Sequence, residues 1–188
     1  MTAKIILTSF DTWMPHQTSN ASDDLLAKVA RDFDSDCLIF VRKLPVDYQI
    51  APQQTIAHIK QVQPDGVICC GMAESRQLLT VESQAVSGQS CLKTIVNLQQ
   101  LVADLPSTEI SHDAGQFVCE ALYYAVLNFL KNSGQPEIPA IFVHVPLLHP
   151  DNIEAIATDF WAIVQGLVRS EKSTGKHPDR DRFNSSNL

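Results

Sequence analysis

The chain has 188 residues, 45% of them hydrophobic and 19% charged, with a mean hydropathy near zero. That make-up suits one globular domain with a sizeable core, and a formal net charge of −7 disfavours nucleic acid or an anionic membrane surface as a partner. No apolar run approaches the roughly 20 residues that cross a bilayer, and residues 1–9 read as a strand rather than an export signal, so a reducing, cytoplasmic location is expected.

In chain order, residues 4–8 read as a buried strand and residues 10–19 as a polar and aromatic loop. A helix is expected from near Ser22 to Phe33, with Asp23 and Asp24 favourable in its first turn. Residues 37–41 form a second apolar strand. Residues 50–62 read as a helix with Ile56, Ile59 and Val62 on one face. A Pro64-Asp65-Gly66 turn then leads into the apolar run 67–70, followed by a short loop over 71–76. Residues 78–86 read as a strand with Leu78, Thr80, Glu82 and Gln84 on one face. Residues 87–111 show no clear period.

Residues 115–131 predict a strong helix, apolar at Val118, Leu122, Ala125 and Phe129; residues 140–145 predict a late strand and 151–168 a final amphipathic helix. Buried strands alternating with helices indicate an α/β domain over residues 1–169, a three-layer α/β/α sandwich around a largely parallel or mixed sheet. Residues 170–188 are polar and predict a flexible tail with no catalytic role.

The five cysteines are Cys37, Cys69, Cys70, Cys91 and Cys119. Their number is odd and no C-x-x-C pair occurs, which argues against zinc or dithiol chemistry. Cys69 and Cys70 alternate faces on a strand and read as small buried hydrophobes. Cys119 is different. It lies within about one turn of a helix start, where oriented N–H groups lower a thiol pKa from its ordinary value near 8.5. His144 interrupts the apolar run Ala140-Ile141-Phe142-Val143. A thiol and an imidazole are the halves of a nucleophile–base pair, and such a base needs a third group to hold its tautomer. Glu82, a carboxylate in an apolar strand, is the candidate. Phe10, Gly71 and His144 all fall at the carboxyl ends of predicted strands, where sites of open α/β sheets collect. His112 reads as a loop histidine before the cysteine helix and His149 as a surface one; His16, His58 and His177 rank lower still.

The run Asp113-Ala114-Gly115-Gln116-Phe117-Val118-Cys119 resembles the nucleophile segment of the peptidase C15 family, the pyroglutamyl peptidases of type I. Phe142-Val143-His144-Val145-Pro146 looks like the family's histidine segment, and Thr80-Val81-Glu82 like the strand carrying its glutamate. Ser9-Phe10-Asp11-Thr12-Trp13, Asn20-Ala21-Ser22 and Leu44-Pro45-Val46 resemble its amino-terminal elements. The resemblance covers most of residues 4–168. It implies a Cys119–His144–Glu82 triad that removes amino-terminal pyroglutamate from peptides without metal or organic cofactor. Phe10, Trp13, Phe117 and Val118 would wall the pocket, and Asn20 and Met72 would border the substrate. The partner implied is a peptide or small amide, with a homo-oligomer as the assembly.

Three departures stand out: Met72 occupies the place of the family's glutamine, Glu74-Ser75 the place of a Gly-Gly, and the chain between Glu82 and Cys119 is shorter than the family's. They leave a second expectation, a C15-like protein that binds a peptide or small amide with altered specificity or without pyroglutamate cleavage.

Overall fold

The computed structural model describes residues 3–33 and 36–174, with side chains through Val168. Its first strand, β1 (Ile5–Phe10), is buried along its whole length and includes Phe10, which the sequence alone places in the following loop. Asn20 caps α1 (Ala21–Asp32) by accepting the Ser22 N–H at 3.0 Å. β2 (Leu38–Leu44) and α2 (Ile50–Val62) follow, and then β3 (Gly66–Met72), which takes Gly71 and Met72 out of the expected loop. Gly66 lets β3 lie close to β1, since a Cβ there would come 2.8 Å from Ile5 Cδ1.

The expected single strand over 78–86 is two. β4 (Leu79–Glu82) belongs to the main sheet, whereas β5 (Gln84–Ser87) forms a separate hairpin with β6 (Ser90–Lys93). Gly88, at φ +59°, turns that hairpin in a conformation that favours glycine. α3 (Leu98–Leu101) and β7 (Thr108–Ser111) complete the stretch without a readable period; elements this short carry no periodicity to detect. α4 (Val118–Asn132), β8 (Ala140–Val145) and α5 (Ile153–Thr174) close the chain. α5 continues past the expected boundary at 169, and residues 175–188 lie outside the described residues.

The main sheet has six strands in the order β2-β1-β3-β8-β4-β7. The first four are parallel, β4 runs antiparallel to β8, and β7 is parallel to β4, so the sheet is mixed. Each face carries a core. Leu25, Ile141, Val143 and Phe160 pack on the side of α1 and α5, and Phe10, Tyr123 and Phe142 on the side of α2 and α4. Cys69 and Cys70 enter opposite cores, as strand alternation requires. Thr80 and Glu82, buried polar residues, alternate with Leu79 and Val81 of the α1/α5 core. No helix among the described residues is long and apolar enough to cross a membrane.

Candidate active site

The carboxyl ends of β1, β3 and β8 meet the start of α4 at one edge of the sheet. β4 runs beside β8 there, and pairing sets Thr80 opposite His144. Glu82 and His144 are both buried, and His144 Nδ1 lies 2.8 Å from Glu82 Oε1. An ionised carboxylate only accepts, so Nδ1 carries the hydrogen and Nε2 is left as the basic nitrogen.

Arg76 reaches the same oxygen. Its Nη1 lies 2.6 Å from Glu82 Oε1 and also donates to Thr80 Oγ1, while its Nη2 donates to the Asp113 carbonyl at 3.0 Å. Burial by itself would raise the Glu82 carboxyl, but its contacts with His144 and Ser111 and the Arg76 charge outweigh that and hold it below the ordinary range. Oε2 is buried and makes no hydrogen bond among the described residues. The Tyr123 hydroxyl donates to the Glu82 carbonyl at 3.0 Å and ties this strand to α4.

Cys119 comes to the site from the other side. Gly115 adopts φ +88°, so the chain turns before the helix rather than within it, and α4 begins at Val118 instead of Gly115. That makes Cys119 the second residue of the helix. Phe117, the residue before it, supplies no side-chain cap, and the first N–H groups of a helix have no acceptor within it. The thiol lies over Gly71: a Cβ at that position would come 2.7 Å from Cys119 Sγ and 2.9 Å from Phe142 Cζ. Gly71 is the register partner of His144 across β3 and β8, whose backbones in a sheet run about 4.8 Å apart. The bare backbone of β3 therefore provides the space that seats the sulfur beside the histidine strand.

Thiol and imidazole share no hydrogen bond in this state. Burial pushes the Cys119 thiol up to about 12, against the lowering anticipated from the helix start. Its own backbone N–H and the Arg76 charge oppose the shift, whereas Cys69 and the Glu82 charge add to it. Removing water costs the thiolate more than the helix terminus returns.

A cavity of about 270 Å³ opens above the sulfur. Phe10, Trp13, Asn20, Met72, Phe117 and Val118 all line it together with Cys119. The Trp13 and Phe117 rings lie 4.7 Å apart, and Tyr48 meets Phe117 edge-on at 5.8 Å. His16, which the sequence ranks low, Glu74, which it marks only as a departure from the family pattern, and Gln17, which it passes over, border the same space. Their signal was only positional, polar residues in the loops that follow β1 and β3. Three other histidines lie elsewhere: His112 contacts the Ser83 hydroxyl at 2.7 Å, His58 its own helix at the Gln54 carbonyl, and His149 sits near Asp151, while His177 is outside the described residues.

No protein-family model matches the chain. Among curated proteins it is similar to the pyrrolidone-carboxylate peptidase of Thermoanaerobacter sp. (strain X514), with 27% identity over 171 positions covering 77% of this chain and 83% of that one. The pyrrolidone-carboxylate peptidase of Bacillus subtilis (strain 168) is 23% identical over 183 positions, covering 84% of each. The first alignment is longer than 77% of a 188-residue chain can fill, so that relative carries residues with no counterpart here.

Among solved structures, pyroglutamyl peptidase I of Bacillus amyloliquefaciens superposes with a TM-score of 0.77 at 20% identity, over 89% of this chain and 96% of that one. The pyrrolidone carboxyl peptidase of Thermococcus litoralis does so with a TM-score of 0.77 at 19% identity, over 97% and 100%. By sequence and by fold together, the chain resembles the pyrrolidone-carboxylate peptidases as a divergent, internally shortened relative.

Proposed function

We propose that the chain is a cysteine-type exopeptidase like pyroglutamyl peptidase I, which seats the amino-terminal residue of a peptide in the cavity and transfers its acyl group to Cys119. The observation that carries this reading is one cavity containing both the thiol and the aromatic loop, beside a histidine whose tautomer is held by a buried carboxylate.

His144 Nε2 takes the Cys119 proton as Sγ attacks the acyl carbon, and the N–H groups at the start of α4 receive the developing oxyanion. The imidazolium, stabilised by Glu82, gives its proton to the leaving amine as the amide C–N bond breaks. Water, deprotonated by the same nitrogen, then hydrolyses the thioester and restores the thiol. No metal or organic group takes part. Because burial keeps the thiol protonated beforehand, proton transfer accompanies attack instead of preceding it.

Hydrolysis of a pyroglutamyl-aminomethylcoumarin reporter tests the reading. Turnover by the wild type that is lost in Cys119→Ala and after alkylation supports it; turnover that persists in Cys119→Ala sinks it. Glu74 in the cavity wall favours a second reading, the same chemistry with altered preference for the acyl residue. The cytoplasm, where a thiol stays reduced, and a homo-oligomeric assembly complete the proposal.

A further inference from the structure

Arg76 stands in the loop after β3 and touches both halves of the site. Its Nη1 donates to Glu82 Oε1 at 2.6 Å, the same oxygen that lies 2.8 Å from His144 Nδ1, and also to Thr80 Oγ1 two residues back along β4. Its Nη2 donates to the Asp113 carbonyl at 3.0 Å, an oxygen that also takes the Ser111 hydroxyl. Asp113 in turn holds the bend before α4, its Oδ1 accepting the Gly115 N–H at 2.9 Å where Gly115 takes φ +88°. Cys119 projects from the first turn of that helix. The guanidinium therefore spans from the carboxylate behind the imidazole to the bend that sets the thiol. The Arg76 side chain is 24% exposed and that of Glu82 wholly buried, so water screens this pair less than one at the surface.

We infer that Arg76 is a positioning residue for acyl transfer, a clamp that keeps the Glu82 carboxylate aimed at His144 and ties it to the bend from which the Cys119 helix starts. The inference rests on the acyl-transfer reading above. A planar guanidinium fixes direction as well as charge, and here its two Nη groups serve acceptors on two different elements. Charge adds a second reason. With the imidazole neutral and the thiol protonated, Arg76 and Glu82 cancel. Without the guanidinium the same group would carry a net negative charge, which opposes the anion that forms at the sulfur and then at the acyl oxygen. The two charges already act on Cys119 in opposite directions, Glu82 raising the thiol and Arg76 lowering it. Lysine would return the charge but not the planar fork that serves two acceptors at once.

The test compares wild type with Arg76→Met and Arg76→Lys in hydrolysis of the pyroglutamyl-aminomethylcoumarin reporter and in iodoacetamide alkylation of Cys119 at about pH 8, followed by peptide mass mapping. Thermal melts verify the fold. Arg76→Met is expected to lower kcat about 10- to 100-fold with KM within about twofold, and to slow alkylation at least about threefold. Arg76→Lys is expected to restore the alkylation rate while kcat stays about three- to tenfold below wild type. Recovery by lysine tracks charge, which a packing role alone would not produce. The inference is overturned by a kcat within about twofold of wild type in Arg76→Met, by a loss confined to KM, by alkylation at the wild-type rate, or by full recovery of kcat in Arg76→Lys. If Arg76→Met does not fold, Arg76→Lys decides: lowered kcat with wild-type alkylation supports the clamp, and wild-type kcat overturns it. A wild type that hydrolyses no reporter defeats the acyl-transfer reading alone, and the hold of Arg76 on the thiol then stands or falls on alkylation.

Discussion

The two walls of the cavity are built differently. The groups proposed to carry the chemistry stand on regular elements: Cys119, in the first turn of α4, lines the cavity, while Gly71 on β3, His144 on β8 and Glu82 on β4 adjoin it without lining it. Sheet pairing fixes their spacing, and Glu82 is wholly buried. The recognition wall is carried largely by loops, with Trp13 51% and Glu74 44% exposed and tied together through Gln17. Acyl transfer demands groups held to within about half an ångström, which a sheet supplies. Choice of acyl residue needs only a few contacts, which loops change cheaply. Substitutions in the two walls therefore have different signatures, in kcat for the first and in KM for the second.

The largest separation comes from the proposed nucleophile. Cys119→Ala is expected to lower kcat/KM by about 10⁴-fold or more while ligand binding survives, as calorimetry with a substrate amide would show. Glu82→Gln is next, with kcat down about 10²- to 10⁴-fold and KM little changed, because in the proposed mechanism the carboxylate, bonded to His144 Nδ1, orients and stabilises the imidazole and not the substrate. Steady-state kinetics reads both.

Gly71→Ala follows. The added methyl collides with Cys119 Sγ and the buried Phe142 ring, so kcat should fall at least about tenfold and stability by about 1–3 kcal/mol in urea unfolding. Wild-type rates in this variant would refute the placement of the sulfur. Trp13→Ala sits at the small end, raising KM roughly tenfold with kcat within about twofold and stability within about 0.5 kcal/mol. An equal loss in kcat would show that the loop wall also aligns the chemistry.

Two pH experiments sharpen the same contrast. Glu82 has a folded pKa below its unfolded value of 4.5, so its stabilisation is complete above about pH 4.5 and is lost as pH falls through the depressed value. Urea melts from pH 7 to pH 3 should show that loss in the wild type and a smaller one in Glu82→Gln. For Cys119, a thiol near 12 predicts that alkylation by iodoacetamide accelerates about tenfold per pH unit across pH 7–9. A rate already level below pH 8 would instead reveal a preformed thiolate–imidazolium pair.

Much of the chemical wall was legible because its residues violate local pattern. Glu82 and His144 are polar groups in apolar strands, and a buried carboxylate beside a buried imidazole is the arrangement such violations point to. The long helices and continuous strands were legible from their periods. Residues 87–111 were not, since their elements are four residues long, too short to show a period, and β7 draws its order from pairing with β4. That Glu74 and Gln17 border one cavity was not legible for a related reason. Nothing in their neighbouring residues shows that two loops separated by α1, β2, α2 and β3 meet at one carboxylate.

The amino-acid sequence by itself determined on which strands or helix the candidate thiol, imidazole and carboxylate stand, because alternation and helical period follow from local geometry. Only the tertiary structure decided how those groups behave. Desolvation is a property of everything packed around an atom, and here it opposes the helix terminus and pushes the Cys119 thiol up. The polar lining of the cavity was decided in the same way, by the packing that brings Gln17 and His16 of one loop to Glu74 of another.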